Sequence, residues 1–142
     1  MKSLPALAAA LIFLLAPLAV KAQTPKPPQG LSPAELAGLM ATGADGLEVV
    51  DVRPASEFAD YHLPGAENLD PGTVLGDPGL TFGPGPLVLV DKDGYQAPAL
   101  AGMLGAKAKR PVKYLRGGLL AWWGQSELSL VRKVAVPPEE KP

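Results

Sequence analysis

The chain has 142 residues, no cysteine and one histidine; 47% of its residues are hydrophobic and its formal net charge is −1. That length and apolar content fit a single domain with its own buried core. Without cysteine the chain itself can form no disulfide, thiolate metal site or thiol nucleophile. His62 alone cannot build a multi-histidine centre, so neither metal nor cofactor is expected.

Lys2 precedes an apolar run from Leu4 to Val20, followed by Lys21 and Ala22. A basic start, an apolar stretch and a small-residue end read as a secretory signal peptide over residues 1–22, cut near Ala22. An uncleaved anchor is the alternative, but the run is short for a span and Pro5 and Pro17 interrupt it. Loss of Lys2 and Lys21 takes the 13 basic side chains to 11 against 14 acidic ones, a net charge of −3. A periplasmic or secreted protein is therefore expected. Its charge argues against nucleic acid or an anionic bilayer surface as partner, and nothing after the signal is long and apolar enough to span a membrane. An unknown protein or small ligand remains as partner.

Residues 23–30 (QTPKPPQG) read as a proline-rich linker. Ser32, Pro33 and Glu35 form a capping-box start, and Leu36, Leu39 and Met40 give the following helix one buried face until Gly43 or Gly46 ends it. Leu47 to Val52 is a β-branched apolar strand. Pro54 to Tyr61 reads as a short helix, His62 to Ala66 as a turn, and the chain is extended around Asn68. Residues 71–86, repeatedly broken by glycine and proline, read as a surface loop. Leu87 to Val90 is an uninterrupted apolar run, as suits a strand buried on both faces. After the polar loop Asp91 to Gln96, a helix is expected from Ala97 to Lys107, a strand from Val112 to Leu115 and a short helix from Gly117 to Gly124. A tail, 125–142, follows. Its apolar stretch Leu128 to Val136 has no assigned place. Strands alternating with helices predict an α/β domain over 31–124, a central parallel sheet flanked by helices on both faces. Sites on such sheets form at the carboxyl ends of the strands, here after Val52 and after Val90.

Three segments carry a family resemblance. Val49-Val50-Asp51-Val52-Arg53, then Glu57-Phe58 and His62-Leu63-Pro64-Gly65-Ala66, resembles the opening signature of the rhodanese-like family. Leu87 to Val90 falls where that family's central strand enters its catalytic loop. Leu115-Arg116-Gly117-Gly118-Leu119-Leu120-Ala121-Trp122 resembles the closing signature. The resemblance implies a sulfurtransferase homologue. Active members begin the loop with a cysteine whose thiolate carries sulfur as a persulfide, in a pattern close to Cys-x-x-Gly-x-Arg-Ser. The loop's inward-facing N–H groups stabilise that anion. Here the loop reads Asp91-Lys92-Asp93-Gly94-Tyr95-Gln96-Ala97. Gly94 matches; Asp91, Gln96 and Ala97 stand where nucleophile, cation and hydroxyl would be. No catalytic residue is assigned to this degenerate loop, and Asp91, Gly94 and Gln96 are the binding candidates.

A carboxylate cannot accept sulfane sulfur, so transfer by the family mechanism is not expected, and the leading reading is a non-catalytic binding or interaction module. Aspartate is a favoured N-cap and is itself an anion, which predicts that Asp91 fills the ring of N–H donors. Covalent chemistry at Asp91, as in a hydrolase or phosphotransferase aided by Lys92 and Asp93, is the enzymatic alternative. Sulfur handling assisted by a partner's cysteine is another. A scaffold without a small-molecule site is a third reading. Asp51 and Arg53 read as a fold-stabilising network rather than a catalytic pair, and His62 as a residue ordering its turn through a ring-to-backbone bond. Gly65, Gly117 and Gly118 are structural. Asp91-x-Asp93-Gly94 lacks the later glutamate of a calcium loop. Trp122, part of the closing motif, and Trp123 are adjacent and so face different sides of a helix; one is expected in the core and the other toward a partner. Lys107, Lys109 and Arg110 read as a solvated helix end.

Overall fold

The computed structural model describes residue 24 and residues 26–125; the expected signal peptide and all but Gln125 of the tail lie outside the described residues. Five strands form one parallel sheet: β1 (Gln29–Leu31), β2 (Glu48–Asp51), β3 (Glu67–Asn68), β4 (Leu87–Val90) and β5 (Val112–Leu115), in the order β1-β5-β4-β2-β3. The helices are α1 (Pro33–Ala41), α2 (Ala55–Asp60), α3 (Pro71–Gly76), α4 (Ala97–Gly105) and α5 (Gly118–Gly124).

Alternation along the strands splits the core in two. Val49, Val88, Val90 and Leu115 pack with Leu36 of α1 and Leu119 and Trp122 of α5. Val50, Leu87, Leu89 and Val112 pack with Val74 of α3 and Leu100, Ala101 and Leu104 of α4. Strand β4 lies at the centre with both faces covered, so all four of its residues are buried and none is polar. The sheet and its two helical layers are those expected.

Local chemistry sets the boundaries. The Ser32 hydroxyl accepts the Glu35 N–H at 3.1 Å, and the Glu35 carboxylate accepts the Ser32 N–H at 2.6 Å. This reciprocal cap starts α1, which ends before Gly43. Two segments differ from expectation. The stretch read as a linker ends inside the sheet, because Gln29 and Gly30 pair in parallel with Lys113 and Tyr114 of β5. The stretch read as a surface loop contains α3 and a 3-10 turn, Pro78–Thr81, each started by an aspartate that caps it. Asp70 accepts the Thr73 N–H and Asp77 the Gly79 N–H, while Val74 and Leu80 anchor the segment in the core.

Candidate functional site

Strands β2 and β4 end side by side, with Asp51 level with Val90. The next residue after β4 is Asp91, 3% exposed. Its Oδ1 accepts the Gly94 N–H at 2.7 Å; its Oδ2 accepts the Gln96 and Ala97 N–H groups, both at 2.8 Å. The loop therefore curls around its own carboxylate and leads into the first turn of α4. Ionised acceptors make the stronger hydrogen bonds, and this one takes up three donors at once.

Glycines allow the loop to lie against the start of α5. Gly94 has φ +80°, and a β-carbon on it would sit 2.6 Å from the Gly117 nitrogen. Gly118, at φ +60°, would place one within 2.6 Å of the Asp91 carbonyl oxygen and 2.5 Å of the Lys92 carbonyl carbon. The contact is used: the Leu119 N–H donates to the Asp91 carbonyl and the Leu120 N–H to that of Lys92, both at 2.9 Å. Two of α5's free N-terminal donors are thus satisfied by the loop's backbone, and Gly117-Gly118 locks the Asp91 loop in place.

The Arg53 guanidinium meets the Asp51 carboxylate through three contacts of 2.8–3.1 Å and donates to the Tyr61 carbonyl at 2.8 Å. Both side chains of the pair are buried. Asn68, read from the sequence only as extended chain, donates to the carbonyls of Asp51 and Arg53 and ties β3 to this corner. His62 stacks on Phe58 and its Nδ1 lies 2.8 Å from the Phe58 carbonyl. A carbonyl only accepts, so that nitrogen carries the proton. The bond reaches back to α2 rather than into the turn it was expected to order. Gly65 sits in that turn at φ +72°. Trp122 is fully buried, and Trp123 is half-buried with its ring edge-on to Tyr61 at 4.2 Å.

One expectation fails at the far end of the sheet. Arg110 is not part of a solvated cluster: it is buried, pairs with Glu48, and donates to the carbonyls of Gly46, Phe82 and Gly85. Its sequence neighbours Lys107 and Lys109 are exposed. The fold brings three loop carbonyls to it that no local pattern announces.

Two clefts open at the carboxyl end of the sheet. One of about 550 Å³ runs over the Asp91 loop between Arg53, Tyr95, Gln96 and Met103. The other, about 200 Å³, lies between Tyr61, Lys92, Leu120 and Trp123. Asp60, Tyr61, Leu120 and Met103 were not singled out by sequence; their exposure on this face is a tertiary property. A third cleft of about 510 Å³, by the proline-rich stretch and the end of α4, contains no residue of the loop. Among the described residues no group of three acidic, histidine or cysteine side chains could hold a metal ion, and no helix is long and apolar enough to cross a membrane.

The fold and the loop at its carboxyl end define a one-domain α/β protein whose turn after β4 closes on its own carboxylate. The family model for the rhodanese-like domain matches residues 32–125, and the chain belongs to that family. Among solved structures it is similar to a Rhodopseudomonas palustris protein of unknown function described as a possible tyrosine phosphatase, at 22% identity, with 68% of this chain and 80% of that one covered and a TM-score of 0.61. It is also similar to a single-domain sulfurtransferase from Saccharomyces cerevisiae, at 20% identity, 75% and 97% coverage and a TM-score of 0.59. A thiosulfate sulfurtransferase from Pseudomonas aeruginosa matches at 22% identity over 81% of this chain and 21% of that one, with a TM-score of 0.60. These likenesses are of fold. No curated protein matches the chain.

Proposed function

We propose that this protein is an exported, non-catalytic member of the rhodanese-like family that works as a binding module. One observation carries the reading: the Asp91 carboxylate accepts the three loop N–H groups that a bound anion or persulfide would otherwise take. The donors are committed, and the chain has no thiol to receive sulfur. The same geometry speaks against Asp91 as a covalent nucleophile. Its two oxygens already hold three hydrogen bonds and the side chain is buried, so attack would mean dismantling the loop. The basic, then apolar, then small-residue order of residues 1–22 supports export.

The test is thiosulfate:cyanide sulfurtransferase activity. The unmodified protein is expected to show none. Asp91→Cys restores the nucleophile and should give weak activity. Adding Gln96→Arg should raise it, because the thiolate and the incoming anion gain a neighbouring cation. Robust turnover of thiosulfate, or of a phosphate monoester, by the unmodified protein would refute the reading.

A further inference from the structure

The two clefts at the carboxyl end of the sheet are neighbours, with Arg53, Glu57 and Lys92 lining both. Tyr95 and Met103, 88% and 53% exposed, line the larger; Leu120, 56% exposed, lines the smaller with Tyr61 and Trp123. Four of the five most exposed large apolar side chains of the described residues therefore share one face, and only Phe82 lies elsewhere. Apolar side chains gathered rather than scattered mark an interaction site, and tyrosine, tryptophan and methionine are types that interface cores favour.

The charge on this face selects among partners. Glu57, Asp60 and Asp93 line the clefts and have no ion-pair partner among the described residues. Against these three carboxylates stands Lys92, because Arg53 is committed to Asp51. The face is acidic around an apolar centre. A second copy would oppose the same acidic surface to itself across a two-fold axis, and an anionic ligand would meet both this rim and a loop whose donors are taken.

We propose that this face binds a segment of another protein in which an apolar anchor stands beside a lysine or arginine. The anchor seats between Tyr95 and Met103. The cation lies at the Tyr61–Trp123 corner, where aromatic faces and the Glu57 and Asp60 carboxylates both attract positive charge. This rests on the binding-module reading and gives it a partner chemistry.

The experiment pans a displayed library of random short peptides against the full protein and measures the strongest binder as a synthetic peptide. Enriched peptides should pair lysine or arginine with a large apolar residue. Their affinity should fall about tenfold or more in the Tyr95→Ser, Met103→Ser double variant and in Asp60→Lys, as expected at an interface where a few residues carry the binding energy. It should also weaken with added salt. Urea midpoints equal to that of the unmodified protein establish that the variants are folded. The proposal is overturned if no peptide is enriched, if acidic peptides are, or if the best peptide binds the double variant undiminished. Concentration-dependent self-association abolished by the same variants would overturn it too, by assigning the face to a second copy. None of these outcomes touches the non-catalytic reading, which turnover of thiosulfate or of a phosphate monoester by the unmodified protein would remove.

Discussion

Replacing Asp91 with alanine tests whether the carboxylate holds the loop. The substitution removes three charge-assisted hydrogen bonds of 2.7–2.8 Å. Bonds to a charged group contribute about 1.5–3 kcal/mol each, so an upper bound is about 5–9 kcal/mol. The donors are not equally enclosed. Gln96 is exposed and Gly94 half-buried, so water can satisfy their N–H groups, whereas Ala97 is buried and its N–H is left without a partner. One fully orphaned donor at about 1–3 kcal/mol and two rehydrated ones give an expected loss of about 2–4 kcal/mol. Urea denaturation measures it as a lower midpoint at unchanged slope. The variant also uncovers a vacant ring of donors, so sulfate should restore stability: about 2.7 kcal/mol at a hundred times its dissociation constant. The unmodified protein should gain nothing comparable. A loss under about 0.5 kcal/mol, with no recovery in sulfate, would refute the reasoning.

Gly118→Ala should cost about 1–3 kcal/mol from its positive φ alone, and more because the added carbon meets the Lys92 backbone at 2.5 Å; thermal melting of the folded variant checks it. Arg53→Met strands a buried Asp51 carboxylate and should destabilise by about 3–5 kcal/mol in urea, while the additional change Asp51→Leu should recover part of that loss. Backbone and hydroxyl hydrogen bonds from Ser32 hold the Glu35 carboxyl below its ordinary range, and hydroxyl and backbone bonds from Thr73 do the same for Asp70. A lowered folded value means that stability is fully present above the ordinary carboxylate range and is lost as pH falls through and below it. Acid titration of the urea midpoint should show this decline, and Ser32→Ala, which removes the hydroxyl bond to Glu35 but keeps the backbone one, should remove part of the Glu35 share of it.

Elements whose character is local were readable in the sequence, and those defined by distant partners were not. Ser32, Pro33 and Glu35 announce α1 because a capping box needs only four consecutive residues. The uninterrupted run of β4 announces itself because both its faces are covered. By contrast, β1 is three residues behind a proline-rich stretch, and it is a strand because β5 lies beside it. Helix α3 buries only Val74, so it shows no periodicity, and its Asp70-Pro71 start is hidden among glycines and prolines. Arg110 sits among residues that look solvated, and its partners lie 25 to 64 positions away. At the site, Asp91 was legible as the carboxylate that fills its own loop. That Gly118 brings the start of α5 onto the same loop, and that Tyr95, Met103 and Leu120 share a face, are products of the assembled sheet.

The central claim is that the loop's donors are occupied by the chain's own carboxylate. Its most direct measurement is an NMR titration of the isotope-labelled, unmodified protein with thiosulfate, read at the amide protons of Gly94, Gln96 and Ala97. Bound to Asp91, these three should stay fixed as thiosulfate rises, and an approaching dianion would meet like-charge repulsion of about 4 kcal/mol per unit-charge pair at ~4 Å and an effective dielectric near 20. A saturable shift of all three resonances would mean that thiosulfate displaces the carboxylate, and would contradict the account.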